Sequence, residues 1–318
     1  MTVAISLFAF FLGSLMSLQA RINGELGGRL ENSVQAALVS FTVGLLSLSV
    51  ILAFRPSMRA GLARIPHALR SARLRRWHLL GGLGGALFIL SQVFSVPYLG
   101  VALFTVVGVA SQTMSGLIVD RIGLGPGGKR SITSSRLIAV IISVGAVILV
   151  SIEKFDVANL SLVAILAVLL ARSGTSVQAA INARVSEASG SAYSAALVSF
   201  VVGTLFLVTI FGVVSVTGVL PVSGAVVEWW LYTGGLIGAV GVLGAVFCVS
   251  RIGVLTFSLA GIAGQVFGAI LVDLIFPVSG STVSLATLIG SALALLSVVV
   301  AVGVFSRAKP KAGILPVP

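Results

Sequence analysis

Gln19 and Asn23 stand four residues apart in "QARIN", and Gln178 and Asn182 stand four apart in "QAAIN", 159 residues later. Residues at i and i+4 share a helix face, so each pair would present two amides together. Gln112 and Gln265 form a third pair, each near the middle of an apolar run. An amide donates and accepts hydrogen bonds without changing charge. Six such groups suit recognition of a small, partly apolar molecule; they offer no general acid, general base or metal ligand set. Each also has a plainer use, as glue between apolar helices worth about 0.6–2 kcal/mol. Arg172 follows fifteen mostly apolar residues. It either snorkels to a polar surface or stands as a fixed cation that selects anionic substrates. Asp120 and Asp273 come eight residues after their glutamines and read as anchors at opposite surfaces, with proton or cation handling as the second reading. No carboxylate lies deep in an apolar run, where a proton relay would place one.

The elements that position these groups follow from composition. Of 318 residues, 58% are hydrophobic and 9% charged, against about 25% charged in soluble chains. Such a chain lacks the polar surface a soluble fold of this length requires. A membrane helix takes about 20 apolar residues. Ten runs qualify, at 3–22, 33–54, 77–97, 100–119, 135–152, 157–180, 192–216, 229–250, 253–272 and 283–305. Their apolar residues do not alternate with polar ones, which excludes a barrel. The expected fold class is an all-α membrane protein. The start, "MTVAISLFAFFLGSLMSL", lacks a basic leader and reads as the first span.

The ten runs divide into two fives. Between residues 19–44 and 178–203, 12 of 26 positions are identical without a gap. Later the offset becomes 153: Trp77 matches Trp230, Gly81-Gly82-Leu83 matches Gly234-Gly235-Leu236, Gln112 matches Gln265 and Asp120 matches Asp273. An odd number of spans per repeat makes the second copy enter the membrane from the other side. Charge agrees: residues 55–76 hold seven arginines, and the equivalent 214–229 hold no Lys or Arg. Inverted repeats require that contrast under the positive-inside rule. With the arginine-rich segment in the cytoplasm, 16 basic residues fall inside and three outside. Both termini are then cytoplasmic. The expected units are 1–153, an inverted 154–306, and a cytoplasmic tail at 307–318.

Other signals fail. The net charge of +12 suits anionic lipid at the Arg55–Arg76 loop, not nucleic acid, because the basic residues fill short gaps with few aromatics among them. "GLGPGGKRS" puts Arg130 where a phosphate loop needs Ser or Thr for magnesium. His67 and His78 have no ligand cluster around them. Cys248 is alone, so no disulfide forms within the chain. No catalytic residue, metal or cofactor is expected.

The two stretches "QARINGELGGRL…AALVSFTVG" and "QAAINARVSEAS…AALVSFVVG" resemble the signature of the YdcZ-type family of bacterial inner-membrane proteins, in the drug/metabolite transporter superfamily. The resemblance implies ten helices in two inverted repeats, a central cavity and export. It lends importance, not a defined role, to Gln19, Asn23, Gln178 and Asn182. The expected function is efflux of a small, partly apolar metabolite or drug-like molecule by alternating access. The substrate site would lie at the midplane between spans four and nine. A membrane-embedded enzyme and a non-transporting scaffold subunit stay open as alternatives.

Overall fold

A computed structural model describes residues 2–129, 131–152, 158–224, 227–277 and 283–303. The elements in order are α1 (Thr2–Leu30), α2 (Ser33–Phe54), α3 (Pro56–Arg70), a 3-10 turn (Arg76–Gly81), α4 (Gly82–Ile122), α5 (Ser134–Ile152), α6 (Ala158–Ser189), α7 (Ala192–Thr217), a second 3-10 turn (Trp229–Tyr232), α8 (Thr233–Ile275) and α9 (Leu285–Gly303). Every regular element among the described residues is helical. Seven segments are long and apolar enough to cross a membrane, and Ser134–Val150 and Leu285–Val300 are shorter apolar helices. The expected tail at 307–318 lies outside the described residues.

α4 and α8 are 41 and 43 residues long. At ~1.5 Å per residue a straight helix of that length would be about 60 Å, twice the hydrocarbon core. Neither is straight. Gly100 (φ 74, ψ 170) breaks α4 and Gly253 (φ 75, ψ 162) breaks α8, 153 residues apart. This backbone region is open to glycine and closed to side chains. Gly100→Ala is therefore expected to cost about 1–3 kcal/mol, read as a lower melting temperature of the detergent-purified protein.

α1 packs along α8, α6 along α4, and α5 against α9. Glycines set the spacing. A Cβ on Gly82 would run into the Ser199 carbonyl of α7, and one on Gly235 into the Ser40 carbonyl of α2. At the crossing of α2 and α7 the rings of Phe41 and Phe200 lie 5.1 Å apart. Gly203 sits under the first ring and Gly44 under the second. With no hydrophobic drive between helices in lipid, such close backbone approach supplies much of the packing attraction.

The arginine-rich segment, expected as a plain loop, holds α3. Met58, Gly61, Ile65 and Ala68 form its buried face, and Arg55, Arg59, Arg64 and Arg70 are exposed. It docks where α6 ends and α7 begins: the Ser194 hydroxyl donates to the Met58 carbonyl (2.9 Å) and Arg64 to the Ser189 carbonyl (3.3 Å). Arg184 at that same end donates to the Leu124 and Gly125 carbonyls. α7 then crosses to the opposite end. There Asn32 Nδ2 donates to the Pro221 carbonyl (2.8 Å), Gln35 and Ser223 exchange hydrogen bonds, and Arg29 faces Glu228 at 3.7 Å.

Candidate functional site

The second half of α4 carries Gln112, expected to line a cavity. Here Gln112 is exposed and borders a cavity of about 650 Å³. Thr113 and Asp120 of α4, Ser176 and Ala179 of α6, and Ser258 and Ile262 of α8 also line it. The walls are set by hydroxyl bridges between α4 and α6: Ser111 to Ser173 at 3.0 Å and Ser115 to Ser176 at 2.7 Å. At the rim Asp120 accepts from Arg136 of α5 at 2.5 Å. The rim lies at the end of the bundle that holds α3, because α4 leads there into Gly123–Gly125, which bind Arg184.

Gln265 is half-buried, and the cavity lining does not include it. Its carbonyl accepts from Ser17 at 2.6 Å. The Gln112 carbonyl accepts from Ser176 at 3.4 Å, so two serines 159 residues apart meet two glutamines 153 apart. Gln19 lies on Gly238, and Gln178 on Gly85. Asn182 Oδ1 accepts from Ser199 at 2.7 Å beside Gly81. Asn23 Nδ2 donates to Gln92 Oε1 at 2.7 Å, and both residues are buried. The amides of the opening motif are thus packed over glycines of α8, of α4 and of the 3-10 turn before it. The helices run on past the motif to Leu30 and Ser189, and Asn32 caps α2 by accepting from the Gln35 N–H. Gln92, which sequence reasoning passed over, is signalled only as a lone polar residue inside an apolar run.

Arg172 is 7% exposed. Its guanidinium lies over the rings of Phe88 (4.4 Å) and Phe104 (5.7 Å). A Cβ on Gly108 would come within 2.7 Å of its Nε. Among the described residues Nε and Nη2 have no hydrogen-bond partner. Gly13, 159 residues before Arg172, and Gly261, 153 residues after Gly108, touch backbone to backbone. An arginine therefore fills between α4 and α6 what is closed between α1 and α8.

Asp273, expected as a surface anchor, is 5% exposed. Its carboxylate accepts the Val101 N–H at 2.8 Å and the Ala102 N–H at 2.7 Å. Those are free donors of the helix that restarts after Gly100, where the dipole also favours an anion. Around this cap the packing is dense. Thr113, Asp120, Ala179 and Ser258 line the cavity and are at least partly exposed. Their counterparts at the two offsets are Val266 (2% exposed), Asp273, Ala20 (2%) and Thr105 (2%), all buried. One set of positions lines a void, and the matching set is packed core.

A larger depression of about 850 Å³ lies among Leu87, Phe94, Tyr98 and Leu170 and reaches Glu31 and Ser33 at the end opposite α3. Leu170 is 76% exposed, so it opens on the flank of the bundle, with a mainly apolar wall. Among the described residues no three His, Cys, Asp or Glu side chains gather as a metal site.

The family described as "Putative inner membrane exporter, YdcZ" matches residues 4–149 and 163–300. A solved structure titled only "Crystal structure of protein" is similar over 96% of this chain and 99% of its own, with a TM-score of 0.54 and 18% identity. That likeness is one of fold alone. A comparison with curated protein sequences gave no match.

Proposed function

Since the chain belongs to the YdcZ inner-membrane family, we propose that it exports a small, partly apolar molecule by alternating access between two inverted five-helix repeats, 1–153 and 154–306. Breaks at Gly100 and Gly253 would divide α4 and α8 into two spans each, which with α1, α2, α5, α6, α7 and α9 makes ten. The exchanged contacts support the inversion: Gly82 on Ser199 and Gly235 on Ser40, Gly81 beside Asn182 and Gly234 beside Asn23.

One observation carries the reading. Sequence-equivalent positions border a cavity at one end of the molecule and are packed core at the other. Two repeats able to adopt either packing give two states by exchanging them, with the void moving to the opposite end. The arginine-rich α3 and its neighbours belong on the cytoplasmic side by the positive-inside rule. The cavity then opens inward, which is the loading side for an exporter. The exposed arginines of α3 would lie against anionic lipid, each worth about 1 kcal/mol.

Gln112 is the recognition amide in this scheme. A panel of metabolites and drug-like molecules screened by thermal shift on the purified protein tests it. A compound that stabilises the protein should bind about tenfold less tightly to Gln112→Ala, a loss of about 1.4 kcal/mol. A hit unaffected by that change would remove Gln112 from the site. Failure of the protein to move any stabilising compound across a proteoliposome membrane would refute transport.

A further inference from the structure

We propose that the substrate is an organic carboxylate with an apolar body, and that Arg172 is the residue that takes its carboxylate; this rests on the transport reading above. Arg172 is a cation in the membrane-embedded core, and an uncompensated charge there is costly. The chain has eight acidic residues, and those placed in the structure are occupied or distant. Asp273 holds the Val101 and Ala102 N–H groups, Asp120 pairs with Arg136, and Glu25 pairs with Arg21 and Arg29. Glu31 and Glu228 lie at the end opposite the cavity rim, and Glu187 lies in the last turn of α6 at the α3 end. Glu153 and Asp156 lie outside the described residues.

The unpartnered atoms are informative. Nε and Nη2 form one edge of the guanidinium, the edge that grips both oxygens of a carboxylate in parallel hydrogen bonds. Phe88 and Phe104 lie 4.4 and 5.7 Å from its Cζ, cation–π contacts that hold the guanidinium without using its donors. Position completes the case. Gly108, beneath the guanidinium, is one helical turn before Gln112 on α4, and Arg172 is one turn before Ser176 on α6. Gln112 and Ser176 line the cavity. Arg172 thus stands one helical turn deeper in the bundle than two of the residues that line the cavity. Gly13, the counterpart of Arg172, touches α8, so helix packing does not demand an arginine at this point of the fold.

The test is titration of the purified full-length protein with benzoate and phenylacetate, with benzamide and benzylamine as neutral and cationic matches and inorganic phosphate as a bare anion. Both carboxylates should raise the melting temperature, and the other three should bind at least tenfold more weakly. Arg172→Gln should abolish the carboxylate response. Arg172→Lys keeps the charge but loses the two-donor edge, and should weaken carboxylate binding at least tenfold even if the Gln variant does not fold. Benzamide or benzylamine binding as tightly as benzoate, with sensitivity to Gln112→Ala but not to Arg172→Lys, would overturn the anionic class while leaving the transport site standing. Tighter binding of phosphate than of benzoate would overturn the organic body. No response to any of the five probes would overturn the proposal, and the transport reading would then be judged by the wider panel.

Discussion

Asp273→Ala should unlock the closed end of the protein. The carboxylate accepts two backbone N–H groups at 2.7 and 2.8 Å. Hydrogen bonds to a charged group are worth about 1.5–3 kcal/mol each. Alanine would leave the Val101 and Ala102 donors buried without acceptors at a helix N-terminus. A loss of about 3 kcal/mol changes a two-state ratio by more than a hundredfold. A protein that rests almost wholly with the cavity open on the α3 side would then populate both states. The readout is reactivity of a cysteine placed at Ala20, which is 2% exposed; it should rise steeply in the Asp273→Ala background. Asp120→Asn should do far less to this resting state, because Asp120 sits at the open rim beside Arg136. By the 153-residue offset, the Asp120 carboxylate would cap the helix restarting after Gly253 in the opposite state. Asp120→Asn should therefore slow transport with little change in resting accessibility. A rise in Ala20→Cys reactivity equal in the two backgrounds would show that Asp273 is not the latch.

The second large effect lies in the glycine contacts. Gly82→Leu and Gly235→Leu should each prevent a monodisperse protein from being recovered. A Cβ at either site collides with a backbone carbonyl, Ser199 or Ser40, and a carbonyl in a helix cannot rotate aside as a side chain can. Overpacking a close contact costs about 1–3 kcal/mol where side chains can adjust, and more where two helices must separate. Controls come from the same chain. A Cβ on Gly116, Gly145 or Gly212 meets nothing within 4 Å. Gly212→Ala, inside α7, should raise stability by about 0.5–1 kcal/mol through the entropy of the unfolded chain. Equal behaviour of Gly82→Leu and Gly212→Ala in size-exclusion profile and melting temperature would mean that these crossings do not set the fold.

Sequence periodicity and span length placed most of the helices, and runs ending at 97 and 250 and restarting at 100 and 253 bracketed both glycine breaks. Gln112 was legible because a neutral amide in the middle of an apolar run has few explanations. α3 was not, because seven arginines lowered the hydropathy of its segment and hid the apolar face at Met58, Gly61, Ile65 and Ala68. The role of Asp273 was illegible for a different reason. Its partners are backbone N–H groups about 170 residues away, and a backbone donor leaves no mark in residue type. The overrun of α1 and α6 past their apolar runs has a packing cause. The amides of "QARIN" and "QAAIN" are accommodated by glycines on α8, on α4 and in the 3-10 turn before it, so the helices need not end where hydrophobicity does. The contrast between the open and packed ends is invisible in principle, since near-identical residues stand on both sides.

Site-directed accessibility in sealed vesicles tests the exchange of two packings directly. With Cys248 replaced by Ala, single cysteines at Ala179 and Ala20 are challenged with a membrane-impermeant maleimide from each face. Ala179→Cys should react rapidly from the face that carries α3. Ala20→Cys should be inert from that face, slow from the other, and accelerated there by Asp273→Ala. Labelling of both positions from one and the same face would contradict the inverted arrangement and the alternating access built on it.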